Sequence, residues 1–280
     1  MDIQTAIING TKVLKHKQIS TARLDSEILM MKVIGKDRKY IILNNDKNLK
    51  SEKINEFEGL IKERSNRKPI AYLTNTKQFW KYEFQVTDDT LIPRPDSEIL
   101  IEEVLKFSKN KNRISVLDIG VGSGCLLISI LKERKNFYGT GIDINKNCLN
   151  ISKINAKMLN VDNRIKFYKT DVDKFVLGKY DLIVSNPPYI KKYKIKYLER
   201  DVAKFEPTLA LDGGLDGLSE IRKVILKSSE LIKKNGKFIL EIGFNQKNKI
   251  IKLLKEKGFY INSVSKDLSK NDRCIVSTKI

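Results

Sequence analysis

The residues of this chain best suited to chemistry lie in one run, Leu182-Ile183-Val184-Ser185-Asn186-Pro187-Pro188-Tyr189. The apolar stretch reads as a buried strand. The tetrapeptide Asn186-Pro187-Pro188-Tyr189 then falls at its carboxyl end, the edge at which open α/β sheets bind ligands. Asn-Pro also occurs in ordinary turns, but two prolines bracketed by Asn and Tyr after a buried strand ask for more than a turn. A planar NH2 group is a poor nucleophile because its lone pair is delocalised. Two acceptors aimed at its N–H bonds would hold the nitrogen and favour the positive charge that develops on it. Asn186 offers a side-chain carbonyl, and Pro187 a backbone carbonyl with no competing N–H. The prolines fix φ, so these acceptors are preorganised, and Tyr189 can pack against a flat group. Such a reaction depends on positioning more than on a strong base. The single histidine, His16 in the N-terminal segment, fits that picture.

A second run, Val116-Leu117-Asp118-Ile119-Gly120-Val121-Gly122-Ser123-Gly124, reads as a strand entering a glycine loop, with a helix beginning near Cys125. Glycines let the backbone turn sharply and approach a ligand, and the helix start offers free N–H groups. The spacing departs from the dinucleotide fingerprint, because Cys125 occupies the position of its third glycine. The pattern G-x-G-x-G after an acidic residue resembles the first motif of class I methyltransferases. That resemblance implies S-adenosylmethionine as cofactor, held by Gly120, Val121, Gly122, Ser123 and Gly124, with Asn186 reaching both cofactor and substrate. Asp143 closes the next strand, where a carboxylate can accept two ribose hydroxyls. Asp171 and Val172 follow the third strand, a turn that borders the adenine in the resembling family. Each aspartate alone would read as a helix cap; three acids after three strands favour ligand contact.

These sites need a scaffold, and the pattern from Ile114 onward supplies one. Strand-like runs at 115–119, 138–142, 165–168, 182–185, 237–242, 260–264 and 274–277 are mostly separated by helical stretches. The alternation predicts an α/β domain with a Rossmann-like seven-stranded sheet, mostly parallel and covered by helices on both faces. The last two strands have no helix between them and predict an antiparallel hairpin. Upstream, the chain reads as short helices. One carries Leu24, Ile28 and Met31 on one face, capped by Ser20 or Thr21 and stopped by Gly35. Another starts at a Ser51 cap with Ile54, Phe57 and Ile61 in register. The alternation Phe79, Trp80, Tyr82, Phe84, Val86 predicts a hairpin, and Asp96 or Ser97 is placed to cap a helix over 99–107. The domain reading is a helical substrate-docking domain over 1–73, a β-hairpin linker over 74–95 and a methyltransferase domain over 96–280.

At 280 residues, 41% hydrophobic and 31% charged, the composition is that of a globular protein. No apolar run approaches the roughly 18 residues a membrane helix needs, and Met1-Asp2-Ile3-Gln4 does not open a basic-then-apolar signal; both predict a cytoplasmic protein. The cysteines Cys125, Cys148 and Cys274 show no metal-ligand spacing and read as reduced core thiols, so no metal is expected. The net charge of +20 has two readings: attraction to nucleic acid or another polyanion, or a lysine-rich composition spread over solvated faces. Scattered lysines with few arginines favour the second.

The tetrapeptide alone leaves adenine N6, guanine N2 and glutamine amide nitrogens open as acceptors. The rest of the chain resembles the protein-glutamine N5-methyltransferases that modify peptide chain release factors. The resemblance rests on Pro69-Ile70-Ala71-Tyr72-Leu73, on Leu91-Ile92-Pro93-Arg94-Pro95-Asp96-Ser97-Glu98, and on Phe205-Glu206-Pro207 followed by Ala210-Leu211-Asp212-Gly213-Gly214 and Asp216-Gly217-Leu218. Related ribosomal-protein glutamine methyltransferases usually lack the Pro-Arg-Pro element in this form. The resemblance implies a methyl acceptor in the Gly-Gly-Gln motif of a release factor, bound at Asn186, Pro187, Pro188 and Tyr189, with no requirement for nucleic acid. A nucleic-acid N6-adenine or N2-guanine methyltransferase is the alternative. The sequence departs from the family at Asp96 and Ser97 (usually Glu and Thr), at Asn75 (often Gly) and at Val172 (an aromatic in some relatives). Arg94 is either part of a rigid linker or a ligand contact, and Glu206 and Glu241 are candidates to orient the loop over the site.

Overall fold

The computed structural model describes all of the 280 residues except Asn110. The chain divides into two compact units: Met1–Thr76 with Glu199–Phe205, and Lys77–Leu198 with Glu206–Ile280.

The first unit is helical: α1 (Ile3–His16), α2 (Ala22–Ile34), α3 (Arg38–Leu43), α4 (Ser51–Ser65), α5 (Ile70–Thr74), and α9 (Arg200–Phe205) from the returning segment. Its core is built on Ile3, Ala6, Leu14, Leu29, Met30, Phe57 and Ile61. The periodicity reading of α2 needs correction. Leu24 is exposed and Ile28 and Met31 are only half-buried, while Asp25, Leu29, Met30 and Val33 face inward. An ion pair sets this rotation: the buried Arg64 guanidinium donates through Nε to Asp25 and through Nη1 to Asp201, each at 2.7 Å. Burying Asp25 without that partner would cost several kcal/mol, on the order of 3–5. Gly35 ends α2 in the left-handed region at φ 69°, but the Thr21 hydroxyl makes no cap bond. Ser51 is the first helical residue of α4 rather than its cap, which is Lys50. Asn75 takes φ 61° after α5, the conformation that glycine or asparagine tolerates best.

The second unit begins at Lys77, one residue into the hairpin β1 (Thr76–Phe79) and β2 (Tyr82–Gln85), then α6 (Glu98–Phe107), β3 (Ser115–Ile119), α7 (Cys125–Glu133), β4 (Tyr138–Asp143), α8 (Lys146–Met158), β5 (Ile165–Lys169) and β6 (Tyr180–Ser185). It closes with α10 (Ser219–Leu231), β7 (Ile232–Glu241), α11 (Lys247–Glu256), β8 (Phe259–Lys266) and β9 (Asp272–Lys279). The seven-stranded sheet has the order β5-β4-β3-β6-β7-β9-β8. All neighbours are parallel except β9, which runs antiparallel between β7 and β8. One face packs on α6, α7 and α8 through Leu100, Val104, Leu127, Ile130 and Leu149. The other packs on α10 and α11 through Ile221, Ile225, Ile250 and Leu254. The order reverses between β3 and β6, the switch point at which the crevice of an open α/β sheet lies. Among the described residues no helix is long and apolar enough to cross a membrane.

Candidate functional site

The last paired residues of β3 and β6 are Ile119 and Ser185. The chain therefore leaves the sheet at two adjacent points, into Gly120–Gly124 from one strand and into Asn186-Pro187-Pro188-Tyr189 from the other. Ser185 closes the pair by donating its hydroxyl to the Ile119 carbonyl at 2.7 Å. On the far side of β3, the Ile142 carbonyl accepts from the Gly120 and Val121 amides, which brings Asp143 against the glycine loop.

The loop is a matter of backbone conformation. Gly120, Gly122 and Gly124 have φ of 79°, 56° and 83°, which L side chains rarely adopt. A methyl added to Gly120 or Gly122 would meet nothing within 4 Å, so their backbone borders open space. One added to Gly124 would come within 2.7 Å of Ile128 Cδ1. Val121 and Ser123 bury their side chains and leave only main chain to a ligand. Asp143 holds the loop in shape: Oδ2 accepts from the Gly122 amide at 2.9 Å and Oδ1 from the Asn145 amide at 2.8 Å. The cap of α8 is Asn145, not Asp143. Burial raises the Asp143 pKa against those two hydrogen bonds. Asp171, beyond β5, caps a short 3-10 turn by accepting from the Asp173 amide at 3.1 Å, and Val172 packs half-buried against the core.

Asp118 was visible in the sequence only as the acid before the loop. It is 1% exposed, and neither carboxylate oxygen reaches a hydrogen-bond partner among the described residues. Burial pushes its pKa up to about 7, and the nearby Asp143 charge adds to it. A buried, unpartnered carboxylate under an open glycine loop suits a cationic ligand. S-adenosylmethionine, with its ammonium and sulfonium charges, fits that donor set.

The tetrapeptide edge is built from side chains. Asn186 donates from Nδ2 to Ser97 Oγ at 3.1 Å, and Ser97 donates to Glu241 Oε2 at 2.6 Å. Glu241 Oε1 accepts from the Tyr189 phenol at 3.3 Å, and Arg273 Nη1 donates to the same phenol oxygen at 3.4 Å. The Asn186 Oδ1 accepts from no described residue. Burial pushes the Glu241 carboxyl up to about 7, opposed by Ser97 and Arg273. Burial, then the Glu241 charge, raises the Tyr189 phenol well above its ordinary range. Downstream, Gln246 Nε2 donates to the Tyr189 carbonyl at 3.1 Å and to that of Gly217 at 2.8 Å. Gly213 admits this packing, since a methyl there would lie 2.9 Å from the Pro188 oxygen and the Tyr189 Cα.

One sequence expectation changes. Ser97 sits at the N-cap of α6 but makes no cap bond, because its hydroxyl goes to Glu241. Arg94 is ion-paired with Glu206, whose other oxygen accepts from the Ile92 amide at 3.2 Å. Both Arg94 and Glu206 thus brace the Pro93-Arg94-Pro95 segment. Glu241 orients Tyr189 and Ser97. Arg273 and Gln246, which the sequence did not single out, complete the support. Burial pushes the Cys125 and Cys148 thiols up to about 12, where neither is a nucleophile.

Comparisons with known proteins cover both units. Residues 5–74 match the family model described as the PrmC N-terminal domain, and residues 95–240 that of the methyltransferase small domain. A release factor glutamine methyltransferase of Clostridium botulinum is 38% identical, with all of both chains covered. That of Clostridium acetobutylicum is 34% identical over all of this chain and 99% of its own, and that of Caulobacter vibrioides 34% over 95% and 92%. Among solved structures, a methyltransferase from Pyrococcus furiosus superposes with a TM-score of 0.52 at 17% identity, covering 79% of this chain and 97% of that one. A ribosomal protein L11 methylase from Lactobacillus delbrueckii subsp. bulgaricus gives 0.51 at 21%, covering 73% and 89%. At those identities the two structures speak to the fold alone.

Proposed function

The chain belongs to the release factor glutamine methyltransferases, and from that premise we propose that it methylates the side-chain N5 of the glutamine in a release factor's Gly-Gly-Gln motif, with S-adenosylmethionine as donor. The observation that carries the reading is the direction of the Asn186 amide. Its NH2 is engaged by Ser97 and its carbonyl is left without a partner, one strand away from the glycine loop. Asn186 Oδ1 and the Pro187 carbonyl accept the two N–H bonds of the substrate amide, and Tyr189 packs on its plane. Bound S-adenosylmethionine supplies an electrophilic methyl group on a sulfonium.

Around that cofactor, Gly120, Val121, Gly122, Ser123 and Gly124 offer main chain, and Asp118 matches its positive charge. Asp143 keeps lone pairs for the ribose hydroxyls, and Asp171 and Val172 border the adenine. With the amide nitrogen acting as the nucleophile, the Asn186 and Pro187 oxygens would stabilise the positive charge developing on its N–H bonds. The proton then lost passes to solvent, because the methylated nitrogen is acidic enough to need no buried base. In this reading residues 1–73 dock the release factor, 74–95 form a linker, 96–280 carry the chemistry, and the protein works in the cytoplasm, where release factors act.

The test is to incubate the protein with methyl-labelled cofactor and purified release factor, with RNA and DNA in parallel. Mass spectrometry is expected to find one methyl on the Gly-Gly-Gln glutamine. Label in bases and none on that glutamine would overturn the reading in favour of a nucleic-acid methyltransferase.

A further inference from the structure

An asparagine amide has nearly the same shape after a half-turn about its last bond, which exchanges C=O for NH2 at little steric cost. Chemically the two orientations are opposites. With the carbonyl outward, Asn186 accepts from a substrate N–H; with the NH2 outward, it meets that N–H donor to donor. Asn186 and the prolines have no internal means of choosing.

We propose that Ser97 and Glu241 are positioning residues that fix which end of the Asn186 amide faces the acceptor nitrogen. The inference rests on the proposed function for its consequence but not for its geometry. A serine hydroxyl has one proton. Because Ser97 gives it to Glu241 Oε2 at 2.6 Å, only lone pairs remain for Asn186, which must then turn its NH2 to Ser97 at 3.1 Å. An ionised carboxylate is acceptor-only, so the chain of donors runs one way, from Asn186 through Ser97 to Glu241. The other oxygen of the same carboxylate accepts from Tyr189. One buried group therefore anchors both ends of the tetrapeptide.

Protonated Glu241 can reverse this chain. It can donate to Ser97, whose hydroxyl is then free to donate to Asn186 Oδ1, turning the NH2 outward. The charged and titratable groups facing Glu241 come from several elements. Asp96 and Ser97 precede α6, and Tyr189 follows β6. Arg273 and Cys274 lie on β9, where Cys274 is directly opposite Glu241, and Cys125 begins α7. Burial places the Glu241 transition near neutrality, so the orientation of Asn186 follows pH around 7.

Asparagine-selective nitrogen-15 labelling tests this without any methyl transfer. The Asn186 side-chain NH2 signals, identified by their loss in Asn186→Ala, are expected to shift with a midpoint near 7 in the wild type, where Glu241 titrates. They are expected to stay fixed in Glu241→Gln. In turnover assays, Ser97→Ala is expected to lower kcat about tenfold or more, the effect of one misplaced hydrogen bond. Its KM and its affinity for S-adenosylhomocysteine should stay close to wild type, and Ser97→Thr, which keeps the hydroxyl, should recover most of the rate. A pH-independent Asn186 signal in the wild type, or wild-type kcat in Ser97→Ala, would overturn the proposal. If the wild type methylates no glutamine while Asn186 still titrates with Glu241, the proposed activity fails and the positioning device stands.

Discussion

The two loops that leave β3 and β6 side by side are built in opposite ways. The glycine loop is defined by what it lacks. Three positive-φ glycines, two of them facing open space, shape a cradle whose partners are almost all main chain, steadied by Asp143 a short way along the sequence. The tetrapeptide edge is defined by what other elements bring to it. Asn186 meets Ser97 across 89 positions, Ser97 meets Glu241 across 144, and Tyr189 meets Arg273 across 84. A cofactor common to many reactions can be held by generic backbone geometry, whereas the acceptor nitrogen needs individually aimed lone pairs. Substitutions in the glycine loop should therefore change cofactor affinity, and substitutions at the tetrapeptide edge should change turnover.

That division can be broken first at Gly124. Gly124→Ala forces a left-handed backbone, costing about 1–2 kcal/mol, and presses a methyl against Ile128 and Ser152, adding about 1–3 kcal/mol. Calorimetric titration with S-adenosylhomocysteine should show affinity falling about 100-fold, with kcat at saturating cofactor nearly intact. Gly120→Ala carries the backbone cost without the clash, since its methyl meets nothing within 4 Å. Its loss of affinity should be smaller, about tenfold. Equal effects at the two glycines would mean that backbone conformation is not what the loop contributes.

Asp143→Asn should weaken cofactor binding by less again. An amide cannot accept from both the Gly122 and the Asn145 amides, so one of two local hydrogen bonds is lost, about 1 kcal/mol.

The smallest expected effect is on stability and has a defined sign. Asp118 is raised by burial to about 7 from the ordinary aspartate value of 3.8. The folded state then holds the proton more tightly than the unfolded one, and stability falls as pH rises between those values. Glu241, raised to about 7 from 4.5, acts in the same direction. Asp118→Asn should raise the melting temperature of the ligand-free protein at pH above about 8 by a few degrees and reduce, without abolishing, its decline with pH. The same variant should bind S-adenosylmethionine more weakly, because the carboxylate that destabilises the empty fold is the one that suits the cation. A variant that is stabilised and binds as well as wild type would remove Asp118 from the site.

The same contrast explains what the sequence disclosed. The seven strands, the antiparallel hairpin at the end and the glycine loop follow from local patterning and glycine spacing, which a chain carries within a few residues of itself. The rotation of α2 did not, because the Asp25–Arg64–Asp201 cluster that sets it joins residues far apart in sequence. Ser97 looked like a helix cap because Ser before a helix usually is one. Only the fold brings Glu241 within reach to take its hydroxyl. Arg273 and Gln246 carry no local signature at all. Their roles come from β9 lying beside β7 and from the chain after β7 meeting the residues that follow Tyr189.

The most direct test of this division of labour is a single turnover by Asn186→Ala, loaded with methyl-labelled S-adenosylmethionine and mixed with excess release factor. Cofactor affinity is expected within a few-fold of wild type and transfer slowed by about 100-fold or more, the scale of losing one preorganised partner of a developing charge. Label reaching the glutamine at the wild-type rate would contradict it.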